Sequence, residues 1–97
     1  MARTATILRI QEVLILQAIA DGNYFIDGEV PSGTINGSNV TFTIANTPET
    51  GSTKIYRNGI RLRSGANNDY IISGTTITTS QAPESGDSLI IDYRKSL

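Results

Sequence analysis

The residues with the most chemical potential lie in "KIYRNGIRLR", residues 54–63, where Lys54, Arg57, Arg61 and Arg63 put four cations into ten positions of a chain with formal net charge -1. Clustered guanidinium and ammonium groups recognise anions, either carboxylates on a protein or phosphates on nucleic acid. Nine carboxylates oppose them: Glu12, Asp21, Asp27, Glu29, Glu49, Asp69, Glu84, Asp87 and Asp92. The chain has no His and no Cys, which removes the usual general base, the thiolate nucleophile and most transition-metal ligands. A glycosidase needs two carboxylates across a cleft, but nearly all of these acids fall in turns or at strand ends, where Asp organises backbone. Ser32, Ser38 and Ser64 have no His or Lys placed as a base in a recognisable motif. Asn67-Asn68-Asp69 offers oxygens to Ca²⁺ but lacks the spaced acidic ligands of a calcium loop, so an Asx-type turn is expected. The residues therefore predict no enzyme, no catalytic site, no metal and no cofactor.

A hairpin must position the basic cluster. Asn58-Gly59 suits a two-residue type I′ turn, which needs φ > 0 at both positions. That turn sets Arg57 opposite Ile60, Tyr56 opposite Arg61, Ile55 opposite Leu62 and Lys54 opposite Arg63. Ile55, Ile60 and Leu62 then share a buried face, while Lys54, Tyr56, Arg61 and Arg63 share an exposed one. Tyr56 under the Arg61 guanidinium would contribute about 0.5–1 kcal/mol. Lys54 opposite Arg63 is a like-charge pair, unfavourable unless solvent or a carboxylate from elsewhere relieves it. The basic face, counted as Lys54, Arg57, Arg61 and Arg63 together, has three readings: a solvated surface, a docking surface for an acidic partner, or a nucleic-acid surface. The last fits worst, because the pI is near 5.2 and a stacking platform wants several aromatics where this face has Tyr56 alone.

The neighbouring stretches also read as strands. "NYFIDGEV" (23–30) is a strand or an extended linker, broken by Pro31-Ser32-Gly33. After a turn at Asn36-Gly37, Val40, Phe42 and Ile44 alternate with Thr41 and Thr43, as in a half-buried strand. "DYIISGTTIT" forms a second hairpin about a type II′ turn at Gly74-Thr75, pairing Ile72 with Ile77 and Tyr70 with Thr79. "SLIIDYR" points Leu89, Ile91 and Tyr93 inward and Ile90 and Asp92 outward, which suggests an interior strand or a subunit contact.

The first 22 residues follow a different period. Residues 4–20 predict a helix whose apolar positions, Ile7, Leu8, Ile10, Val13, Leu14, Ile15, Leu16 and Ile19 among them, fall on three stripes. One small β-domain covers about one face of such a helix, so the excess points to packing against another chain; the plainer alternative is a core helix of a small α+β domain. Arg9, Gln11, Glu12 and Gln17 interrupt the apolar run, so neither a signal peptide nor a membrane span is expected. The predicted fold is mainly β: an N-terminal α-helix (1–22), a strand or linker (23–33), and an antiparallel β-sandwich or partly closed barrel of six to seven short strands (34–97).

The turn and core residues Gly33, Asn36, Gly37, Asn39, Phe42, Pro48, Gly51, Ser52, Tyr56, Asn58, Gly59, Leu62, Asp69, Tyr70, Ile72, Gly74, Ile77, Pro83, Gly86, Asp87, Leu89 and Tyr93 form a pattern. It resembles a small β-module of tailed-bacteriophage virion structural proteins. The resemblance implies a tail, tail-tip, neck or fibre component, or a head decoration protein, found in the virion after assembly in the bacterial cytoplasm. It implies no enzyme. The helix lies outside the pattern and would decide where this version attaches. A helix of this kind buries several hundred Å², which at roughly 25 cal/mol per Å² drives association. The expected partners are copies of itself, as a trimer or hexamer, and other virion proteins meeting Lys54, Tyr56, Arg61 and Arg63. The rival reading is a host-surface carbohydrate-binding module, for which Tyr24, Tyr56, Tyr70 and Tyr93 would have to replace the missing Trp.

Overall fold

Period-two alternation and glycine-bearing turns build the fold. The computed structural model describes residues 24–96, and in it the alternating stretches become seven strands: β1 (Phe25–Glu29), β2 (Thr41–Thr43), β3 (Lys54–Arg57), β4 (Ile60–Arg61), β5 (Tyr70–Ser73), β6 (Thr76–Thr79) and β7 (Leu89–Arg94). They form two antiparallel sheets, one ordered β1-β7-β3-β4 and the other β2-β6-β5. The β part of the expected fold class is present as a sandwich-like pair of sheets. The helix expected over residues 4–20, with Ile7, Leu8, Ile10, Val13, Leu14, Ile15, Leu16 and Ile19, lies outside the described residues. Within "NYFIDGEV", Phe25–Glu29 is a strand: β1 pairs with β7 and belongs to the four-stranded sheet. No helix among the described residues is long and apolar enough to cross a membrane.

Both sheets turn one face onto a common core of Phe42, Ile44, Ile55, Tyr70, Ile77, Leu89, Ile91 and Tyr93. Strand β7 is interior to its sheet, one of the two outcomes its two-sided apolar pattern allows, and Ile91 at its middle is completely buried. Entry into β2 requires a glycine. Gly33 adopts φ 149, and a Cβ there would stand 2.5 Å from Phe42 Cδ1 and 3.1 Å from the Thr41 carbonyl oxygen.

Turn chemistry fixes the two hairpins. Asn58 (φ 52) and Gly59 (φ 82) form the type I′ turn, and β3 meets β4 with Tyr56 opposite Arg61 and Arg57 opposite Ile60. The β5–β6 hairpin has positive φ at Gly74, with Tyr70 opposite Thr79 and Ile72 opposite Ile77, as expected for type II′.

Three details of the basic hairpin differ from expectation. Ile60 has the inward parity but is 70% exposed, because parity sets the side of a sheet and not how far the opposing sheet extends. The Lys54–Arg63 pair does not form. Strand β4 stops at Arg61, and Arg63 turns toward β5, its N–H donating to Asp69 Oδ2 at 2.7 Å and its carbonyl accepting from Asp69 and Tyr70. Lys54 stands opposite Asp92 of β7 instead. Arg57, counted among the basic face, has the opposite parity and pairs with Asp87.

Asp87 ties the hairpin tip to the turn before β7. Its Oδ2 accepts from Arg57 Nε (2.9 Å), Arg57 Nη2 (2.6 Å) and the Glu84 N–H (2.8 Å), and its Oδ1 accepts from Asn58 Nδ2 (2.8 Å). Asn58 Oδ1 accepts in turn from the Ser88 N–H at 2.9 Å. The Asn58 amide, then the Glu84 N–H and the Arg57 guanidinium, hold the Asp87 carboxyl below its ordinary value. A carboxylate lowered in the folded state favours folding above its unfolded value of about 3.9, and that contribution disappears as pH falls through the lowered folded value. Asp87→Asn is therefore expected to lower the urea midpoint at neutral pH and to flatten its decline below about pH 4. Parallel midpoint-versus-pH profiles for the two proteins would refute this role.

Candidate functional site

The outward face of the four-stranded sheet collects the side chains that the core excludes. The pairing of Tyr56 with Ile90 and of Lys54 with Asp92, and that of Tyr56 with Arg61, lays them out in rows. One row runs Ile90–Tyr56–Arg61, and the next brings Lys54 beside Asp92. A third sets Phe25 of β1 opposite Arg94. Of the expected docking residues, Lys54, Tyr56 and Arg61 share this face, while Arg63 belongs to the segment leading into β5.

A β-bulge shapes one end of the face. Phe25 and Ile26 pair with Arg94 and Tyr93, but Glu29 pairs with Ile91, so Asp27 and Gly28 together oppose Asp92. Gly28 takes φ 70 and its N–H donates to Asp92 Oδ1 at 2.7 Å. The extra residue reverses the parity of the strand. Asp27 faces outward with Phe25, and Glu29 is turned inward. There Glu29 Oε1 accepts from Tyr93 Oη at 2.6 Å and Oε2 from the Ala45 N–H at 2.9 Å. Burial, then the Glu29 hydrogen bond, raise the Tyr93 phenol above its ordinary value.

The segment before β3 closes this end. Glu49 Oε2 accepts from both Tyr24 Oη and Arg94 Nε, each at 2.9 Å. Its N–H donates to the Arg94 carbonyl at 2.7 Å, and Ser52 Oγ donates to the Glu49 carbonyl at 2.7 Å. The Arg94–Glu49 pair is half exposed and adds little stability; its effect is to hold the guanidinium against β7. The Tyr24 ring meets Phe25 edge-on, centroids 4.9 Å apart at 85°. Phe25 thereby keeps a half-exposed ring beside the bulge. The result is an open groove of about 230 Å³ lined by Phe25, Asp27, Ser52, Lys54, Asp92 and Arg94 with Gly51 and Tyr93.

No protein-family model, curated protein or solved structure matches the chain.

Among the described residues, no three or more His, Cys, Asp or Glu side chains converge as metal ligands. Asn68 of the Asn-Asn-Asp stretch donates from Nδ2 to the Ser64 carbonyl at 2.9 Å, and Asp69 caps Arg63, so these polar groups organise the local turn. Of the four tyrosines, Tyr70 and Tyr93 are buried in the core.

Phe25, Asp27, Asp92 and Arg94 escaped notice as site residues. Two signals pointed to them. Asp27-Gly28 interrupts an otherwise strand-like stretch, a pattern that marks bulges. Asp92 and Arg94 are alternate outward positions of β7.

Proposed function

We propose that the chain is a non-enzymatic structural component of a tailed-phage particle, one that docks through the outer face of its four-stranded sheet. The occupant of that face is an acidic surface on a neighbouring virion protein. The observation that carries the reading is the composition of the face at its β3–β4 end. Lys54 and Arg61 are exposed there beside Tyr56, and Ile90 adds exposed apolar surface. Asp92 lies opposite Lys54, but no ion pair within 4.0 Å ties either Lys54 or Arg61 to a described residue. Cations flanking an aromatic ring and an aliphatic patch complement an acidic, partly apolar surface.

The resemblance of the chain's turn and core residues to phage β-modules supports the particle reading. Its residues Asn58, Gly59, Gly74 and Asp87 form the turns and the Asp87 network, so the pattern specifies the scaffold and leaves the displayed faces free to suit different neighbours. In this reading residues 1–22 hold copies of the chain together, as a trimer or hexamer.

Attachment measured against ionic strength tests the docking face. Purified chain is added to particles made without it, and the bound fraction is followed as salt is raised. Screening shortens to about 3 Å at 1 M salt, so attachment through Lys54 and Arg61 should fall steeply. Attachment indifferent to salt would rule out the charged face as the contact.

A further inference from the structure

We propose that the groove at the β1 bulge is a binding site for a single neutral pyranose sugar, a role that goes beyond docking and does not rest on it. The groove has two chemically different sides. One is the half-exposed ring of Phe25, fixed edge-on by Tyr24. The other is polar: no described residue hydrogen-bonds the Asp27 carboxylate or the Lys54 ammonium, Asp92 uses only Oδ1 (for Gly28), and Arg94 engages Glu49 only through Nε.

A groove of about 230 Å³ holds on the order of eight water molecules. A ligand gains by displacing them only if it reproduces their hydrogen bonds to the charged groups. An apolar ligand would leave two carboxylates and an ammonium without partners, which is costly. Phosphate or another compact anion would meet Lys54 but also the carboxylates of Asp27 and Asp92. A neutral pyranose fits both sides: its C–H face lies on the Phe25 ring, and its hydroxyls donate to Asp27 and Asp92 Oδ2 and accept from Lys54 and Arg94. The volume accommodates one pyranose ring. The aromatic platform is thus Phe25, and not one of the four tyrosines to which the sequence pointed.

Amide chemical shifts of the ¹⁵N-labelled full chain, titrated with neutral hexoses and N-acetylhexosamines, test the site. At least one sugar is expected to give saturable shifts centred on Gly28, Gly51, Ser52 and Asp92, with Kd of the order of millimolar. Asp27→Asn and Phe25→Ala should each weaken binding roughly tenfold or more, while inorganic phosphate should leave these amides unmoved. The amide spectrum itself reports whether each variant is folded; should Phe25→Ala unfold, Asp27→Asn carries the test. No saturable shift with any sugar, shifts centred elsewhere, or full affinity in Asp27→Asn would overturn the proposal. These readouts use the free chain, so they succeed or fail independently of attachment to particles.

Discussion

Replacing Lys54 and Arg61 together by glutamate is expected to weaken attachment to particles by about a hundredfold or more while leaving the chain folded. Both side chains are exposed on the outer face, and no described residue forms an ion pair with either. Their removal therefore takes little from the domain, within about 0.5 kcal/mol each. Against an acidic partner the change is larger, because each reversal replaces an attraction with a repulsion. Charge at an interface governs encounter and specificity more than the stability of either partner alone. Lys54→Glu also puts a carboxylate opposite Asp92, a like-charge neighbour on the sheet, so Arg61→Glu alone is the cleaner control. It should give the smaller part of the same loss with the same urea midpoint as the original protein. A double variant that attaches normally would return this face to the role of a solvated surface.

Removing residues 1–22 is expected to convert an oligomer into a monomer of the β-domain. The prediction rests on two observations. Ile7, Leu8, Ile10, Val13, Leu14, Ile15, Leu16 and Ile19 would occupy three stripes of a helix, more apolar surface than one small domain covers. The sandwich beginning at β1 has a core cluster drawn from its own strands, with Phe42, Ile55, Ile77 and Ile91 almost fully buried. Light scattering should find the full chain at a small multiple of 10.4 kDa and the truncated chain at its monomer mass with an unchanged β-rich circular dichroism spectrum. A full chain that is already monomeric, or a truncated one that stays oligomeric, would dismiss residues 1–22 as the assembly element.

The parts of the fold legible in the sequence are those set by local chemistry. Asn58-Gly59 dictates its own turn, and a two-residue turn fixes which residues face each other, so Tyr56 opposite Arg61 followed directly. Gly74 did the same for β5 and β6. The two-sided pattern of "SLIIDYR" left an interior strand or a subunit contact open, and β7 is interior to its sheet. The choice of β3's second neighbour was not legible, because it is made by β7, more than thirty positions away in the chain. That pairing replaces the expected Lys54–Arg63 repulsion with Lys54 beside Asp92. Arg57 escaped for the same reason: its partner Asp87 is brought to it by the turn before β7. The groove was hidden by one residue. Alternation through "NYFIDGEV" without a bulge puts Glu29 on the outer face with Asp27, and only the extra residue at Asp27-Gly28 sends Glu29 inward to Tyr93 and leaves Asp27 beside Asp92.

The central claim is that this chain is a virion component seated through the outer face of its four-stranded sheet. Mass spectrometry and a cryo-electron microscopy map of particles purified from the host that encodes the chain test it most directly. The expected result is the chain among the particle proteins in a fixed copy number, with its two-sheet sandwich in the map and Lys54, Tyr56, Arg61 and Ile90 against an acidic neighbouring surface. Purified particles that lack the chain, or a map in which that face looks into solvent while another face makes the contact, would contradict it.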